Sequence, residues 1–152
     1  MGYEHSSEKI QKALQLHECG QLHEARLIYQ EVIQENQVQH FVLNLYGTLL
    51  HQQGRHAMAV NMLKKAIALN SDNEIYYNRL GAALSGMEDN NKAIVAYFRS
   101  TFIKNDLFES QLNLGSALLK IGRTIEAYIP AKRAVHLNTD SWIARLRLGS
   151  IY

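Results

Sequence analysis

The chain holds a single cysteine, Cys19, and a single proline, Pro130, in 152 residues. One cysteine excludes an intramolecular disulfide, and no Asn-x-Ser/Thr acceptor occurs, so a reducing, cytoplasmic setting is the expectation. One proline and nine glycines exclude Pro-rich or disordered linkers. No apolar run reaches membrane-spanning length, and the N-terminus lacks the basic-then-apolar layout of a signal peptide. Phosphate-cradling G-x-x-x-x-G-K-[ST] and G-x-G-x-x-G loops are absent, as is any pair of histidines at the i, i+4 spacing of a helical metal site. Cys19 has no Cys-His-acid arrangement around it and reads as a small packed residue. Neither catalysis, a metal nor a cofactor is therefore expected.

Charge is nearly balanced, with a formal net of +2. Residues 1–76 carry 6 Lys+Arg against 8 Asp+Glu (−2), and residues 77–152 carry 10 against 6 (+4). A basic C-terminal half favours an anionic partner there, but no dense Lys/Arg stripe exists, so nucleic acid is not expected. Met1-Gly2-x-x-x-Ser6 matches the N-myristoylation pattern. One such chain binds membranes only marginally, and no membrane partner is expected.

What the sequence does contain is a period. Glycines recur at Gly47, Gly81, Gly115 and Gly149, and alanines at Ala25, Ala59, Ala93 and Ala127, each series stepping by 34 residues. A fixed period of that length marks a solenoid whose repeats are single supersecondary units. Repeats fall at 6–39, 40–73, 74–107 and 108–141, with a partial fifth at 142–152, all in one domain covering 1–152. Each has a helix A over about its first 14 residues, a turn, and a helix B. Small residues at position 8 (Ala13 in the first repeat, the glycines thereafter) let A and B approach closely, since a mid-helix glycine costs about 1 kcal/mol and needs a packing reason.

Apolar columns follow the same register: Leu16, Leu50, Leu84, Leu118 and Tyr152 at position 11, and Tyr46, Leu80, Leu114 and Leu148 at position 7. Val32/Ile33, Ala66/Ile67 and Ala134/Val135 line the B helices at amphipathic spacing. In the third repeat Ser100 and Thr101 take that place, predicting a smaller, more polar seam. Tyr29, Tyr76, Tyr77, Tyr97 and Tyr128 read as core. Gly20, Gly54 and Gly122 close the A–B turns in the left-handed conformation, and in the third repeat the glycine moves two places earlier, to Gly86. Ser71-x-x-Glu74 and Asp106-x-x-Glu109 read as capping boxes. Pro130 either kinks the fourth B helix or sits in its first turn, if that helix starts after Tyr128.

These columns and turns resemble the tetratricopeptide-repeat (TPR) family over nearly the whole chain. Its usual proline at position 32 is missing; Gln37, Ser71, Asn105 and Thr139 stand there. The resemblance implies an all-α, right-handed superhelix of four helix-turn-helix hairpins plus one extra helix. It also implies a concave groove lined by positions 2, 5, 6, 9, 12 and 13 of each repeat. Carried over position by position, the groove residues include Asn44, Thr48 and His51; Asn78, Arg79 and Ser85; Asn113, Ser116, Leu119 and Lys120; and Arg147 and Ser150.

Asparagine amides carry donors and an acceptor and can pair with an extended peptide backbone. Arg79, Arg147 and Lys120 suit a carboxylate. The same residues also fit a solvated polar face. The family's chaperone-tail clamp has its five groove positions filled here by Ile10, Leu14, Leu45, Ile75 and Arg79, and only Arg79 matches. Asn78-Arg79-Leu80-Gly81 resembles segments of peroxisomal targeting-signal receptors, and the groove asparagines resemble the TPR arm of O-linked N-acetylglucosamine transferases.

The expected function is a non-catalytic protein-interaction scaffold binding an extended peptide. A second reading is the substrate-recruiting arm of a larger enzyme such as an O-linked glycosyltransferase. The apolar last helix, with Ile143, Leu146, Leu148 and Ile151, also suits association of two copies through that end.

Overall fold

The computed structural model describes residues 2–35 and 39–151, which form nine helices and no strand. Met1, Gln37 and Tyr152, which figure in the lipidation pattern, the proline position and the position-11 column, lie outside the described residues, as do the side chains of 2–6. Two compact units are present. The first, Met1–Ser71, holds α1 (Gly2–Glu18), α2 (Leu22–Gln34), α3 (His40–Gln52) and α4 (His56–Leu69). The second, Asp72–Tyr152, holds α5 (Glu74–Gly86), α6 (Asn90–Ile103), α7 (Phe108–Lys120), α8 (Thr124–Leu137) and α9 (Trp142–Gly149). No helix is long and apolar enough to cross a membrane among the described residues.

Consecutive helices pair into antiparallel hairpins, and small residues set how closely they pair. Ala13, Ala25, Ala59, Ala93 and Ala127 are fully buried. A Cβ placed on Gly47 would lie 2.8 Å from Leu63, and one on Gly81 would lie 2.6 Å from the ring of Tyr97. One on Gly115 would lie 3.3 Å from the backbone nitrogen of Ala131. Position 8 of α3, α5 and α7 thus receives position 24 of the following B helix. Gly149 has no such neighbour and is exposed, because no B helix follows it among the described residues. Around these contacts the columns bury Leu50, Leu84 and Leu118, and Tyr46, Leu80 and Leu114.

The seam of the third B helix is polar. Ser100 and Ser110 are fully buried with their hydroxyl oxygens 2.7 Å apart, and Ser100 donates to the carbonyl of Glu74 at 2.7 Å. Beside them buried Gln111 donates to the carbonyl and the side-chain oxygen of Asn105. Every polar group named is satisfied, which is the condition for keeping it inside.

Several local readings are corrected by the structure. Gly20, Gly54 and Gly122 have positive φ. In the third hairpin the left-handed residue stays at the same repeat position and is Glu88, with φ 62°, while Gly86 ends α5 as a helical residue. The turn geometry is dictated by how α5 meets α6, so the chain holds it even without glycine. The cap of α5 is Asn73, whose side chain accepts from the amides of Ile75 and Tyr76, and not Ser71. Asp106 caps nothing, because α7 starts at Phe108 after an uncapped Leu107. Cys19 is exposed rather than packed. Pro130 lies well inside α8, which begins at Thr124, so the late-start alternative is excluded.

Tyr29, Tyr76 and Tyr97 are core residues, whereas Tyr77 and Tyr128 are half-buried beneath cations.

Candidate functional site

In the first unit, Asn44, Thr48 and His51 share one face of α3, and each is already engaged or enclosed. Asn44 is 6% exposed, and its side-chain oxygen is buried without a partner among the described residues. The Thr48 hydroxyl donates to the Asn44 carbonyl at 2.8 Å. His51 Nδ1 lies 3.0 Å from His56 Nδ1 on α4, so one ring donates to the other across the hairpin turn. Burial, and then the charge His56 would carry, push the His51 imidazole below its ordinary pKa of 6.5. His17 Nε2, on α1, donates to the side-chain oxygen of Gln52 on α3 at 2.8 Å. No group of three or more His, Cys, Asp or Glu gathers among the described residues.

The second unit has the more open geometry. Its A helices, α5, α7 and α9, pack in sequence, and their outward positions converge on a concave pocket of about 400 Å³. α5 contributes Ser85; α7 contributes Asn113, Ser116, Ala117, Leu119 and Lys120; α9 and its cap contribute Arg147 and Ser150. Tyr97 comes from the B helix α6. Asn113 donates its amide to the side-chain oxygen of Asn78 at 3.1 Å, tying α7 to α5. Asn78 keeps its NH2 and Asn113 its oxygen for a further partner.

Lys120 and Arg147 bring two positive charges to a pocket with no acidic lining residue. Neither forms an ion pair with a described residue. Ser150 donates back to the carbonyl of Arg147 at 2.8 Å and anchors that end. Arg79 stands apart from the pocket lining, half-buried on α5 near Tyr76. Its Nη1 is buried without a partner among the described residues, and burial pushes the guanidinium below its usual value.

Position counting on the A helices reaches every lining residue except Ala117 and Tyr97. Tyr97 escapes it because it belongs to a B helix. The signal was the pairing of position 8 with position 24: Gly81 leaves no side chain in the way, so the ring beside it reaches the face of the A helices. Burial there raises the Tyr97 hydroxyl to about 12, so it stays a neutral donor.

Residues 47–88 match the family model described as TPR repeat. A peroxisomal targeting signal receptor from Candida albicans is 30% identical over 81 residues, covering 53% of this chain and 14% of the receptor. The matched stretch is thus a small part of that relative. Among solved structures, the crystal structure of MamA protein aligns over 100% of this chain and 82% of its own, with 20% identity and a TM-score of 0.89. The first TPR of Spaghetti (RPAP3), bound to the HSP90 peptide SRMEEVD, aligns over 74% of this chain and 90% of its own, with 17% identity and a TM-score of 0.72. At these identities the structural likeness is one of fold.

Proposed function

We propose that this chain, whose residues 47–88 match the TPR repeat model and whose fold is that of the TPR solenoids, is a non-catalytic interaction module. Its ligand is an extended peptide with an acidic or carboxylate-bearing group, held on the A-helix face of the second unit. The observation that carries the reading is the convergence of Lys120 and Arg147 on a concave pocket without a carboxylate. Such cations raise the local concentration of an anionic group and hold it with charge-assisted hydrogen bonds. The linked amides of Asn78 and Asn113 suit a peptide backbone next to it. Ser116 and Leu119 supply further polar and apolar contact. A structural neighbour solved with a bound peptide and relatives named as targeting-signal receptors support the coarser reading of a protein-interaction module.

Ordering a flexible peptide costs entropy, so the expected affinity is micromolar. A peptide array displaying acidic C-termini, each beside its amidated counterpart, supplies the probes, and fluorescence anisotropy measures the hits. Changing Lys120→Ala and Arg147→Ala together should weaken binding by at least about a hundredfold, each lost charged hydrogen bond being worth about 1.5–3 kcal/mol. The circular dichroism spectrum should not change, since both side chains lie on the surface of their helices. Equal affinity of wild type and double variant, with helicity intact, sinks the assignment.

A further inference from the structure

The second unit carries another surface, on the opposite side of its hairpins. The backbones of α6 and α8 stay more than 8 Å apart, and α7 lies beneath them, leaving a groove of about 780 Å³. Val95, Phe98 and Phe102 form one wall and are 69%, 61% and 71% exposed; Ile129, 76% exposed, stands on the other. Leu114 and Leu118 form the floor. The fold does not require these apolar residues. One repeat earlier, the positions of Val95, Phe98 and Phe102 are filled by Asn61, Lys64 and Ala68 on α4. Three large apolar side chains in register on one exposed helix face mark an interaction surface.

We infer that this groove takes an amphipathic helix of a partner protein whose apolar stripe is flanked by acidic residues. A helix is indicated because the groove offers an incoming backbone nothing to pair with. Its walls are helices that satisfy their own amides, so an added strand would bury unpaired groups. The polar side chains are committed as well: Gln111 to Asn105, Arg123 to Glu126, and the Thr101 hydroxyl to the Phe98 carbonyl. A trough between two helices over a third fits one more helix at ordinary packing distance.

The acidic flank follows from charge. α6 and α8 carry Lys92, Arg99, Lys132 and Arg133 against the single carboxylate Glu126. Lys92 is held by Asp89, and Glu126 by Arg123. Arg99, Lys132 and Arg133 have no carboxylate partner among the described residues. Arg99 lies 5.3 Å over Phe102 at the groove wall, and Lys132 lies 5.7 Å over Tyr128. Arg133 Nε is buried with no acceptor among the described residues. Tyr128, Lys132 and Arg133 line a depression that shares Ile129 with the groove. A second copy of this chain is a poorer occupant. Its own α6–α8 face would oppose cation to cation, and its exposed Trp142 and Leu146 on α9 are flanked by Arg145 and Arg147.

The test uses a designed, labelled helical peptide of about 18 residues, five turns, with leucines at i, i+3, i+4 and i+7 and glutamates beside them. Its twin carries lysines in place of the glutamates. Anisotropy should show the glutamate peptide binding at least about tenfold tighter than the twin, with the difference shrinking as salt rises. Phe98→Ser with Phe102→Ser should cut binding by about thirtyfold or more while leaving circular dichroism unchanged, both rings being exposed. Arg99→Glu with Lys132→Glu should reverse the preference between the two peptides. Absence of binding, equal affinity for both peptides, or indifference to the phenylalanine changes each overturns the proposal. So does a wild-type dimer in sedimentation that the phenylalanine changes return to monomer, which assigns the groove to a second copy. Lys120 and Arg147 are untouched by these variants, so the outcome is independent of the concave pocket.

Discussion

Three residues carry costs that the surrounding packing sustains. The Tyr29 hydroxyl is buried without a partner among the described residues, and burial raises it to about 12. Its ring is wedged between His17 and Tyr46, with centroids 6.2 and 6.3 Å away. Tyr29→Phe keeps the ring and removes the unpaired hydroxyl, so it should stabilise the fold by about 1 kcal/mol, whereas Tyr29→Ala should cost about 3–5 kcal/mol. Urea denaturation of the two variants checks both signs. Glu88 occupies the left-handed turn conformation that three other hairpins give to glycine. Relief of that strain, less the extra freedom of an unfolded glycine, predicts that Glu88→Gly raises stability by about 1 kcal/mol, read as a higher urea midpoint.

His51 adds a pH dependence. Its folded pKa is depressed, so the unfolded chain takes up the proton first as pH drops below about 6.5. The contribution of His51 is therefore complete above that pH and is lost as pH falls towards the lower, folded value. Stability should decline as pH falls from about 7.5 through 6.5 towards the lower folded value, and His51→Gln should flatten that decline.

At the scale of the element, each hairpin is a contact between position 8 and position 24. Gly81→Ala would push a methyl into the Tyr97 ring and should cost about 1–3 kcal/mol despite better helix propensity. Gly149→Ala meets nothing and should be neutral or slightly stabilising. Thermal melts of the pair distinguish a packing glycine from one that merely keeps the period. In the polar seam, Ser100 links Glu74 and Ser110, so Ser100→Ala leaves a part-buried carbonyl and a buried hydroxyl without that partner. The expected loss is about 1–3 kcal/mol, larger than for Ser110→Ala, which leaves the bond to Glu74 intact. The seam was legible because Ser100 and Thr101 interrupt an apolar column. The caps were less legible: Asn73 and Ser71 both carry capping side chains, and only the helix start decides between them.

For the molecule as a whole, the second unit contains both the concave pocket and the groove between α6 and α8. In repeat proteins stability is a sum of repeat and nearest-neighbour terms, so a run of hairpins can stand alone. Residues 72–152 expressed by themselves should be helical by circular dichroism and should retain the affinity of the Lys120–Arg147 site for its peptide. Loss of binding with helicity retained would place essential ligand contacts in the first unit.

The 34-residue period by itself determined the helical hairpins and their register, because those depend on spacing along the sequence, and the resemblance to the tetratricopeptide-repeat family added which A-helix positions face the groove. It also placed Asn113 and Arg147 at the same repeat position of successive A helices, with Ser116 and Lys120 further along the helix of Asn113. Tertiary structure alone decided which of those side chains remain available. Asn44 is enclosed, His51 is spent on His56, and Asn78 is joined to Asn113, all through contacts between different helices. Only packing revealed that Val95, Phe98 and Phe102 are left uncovered. Their sequence pattern is that of a buried stripe, and whether a stripe is buried depends on what lies opposite it in space.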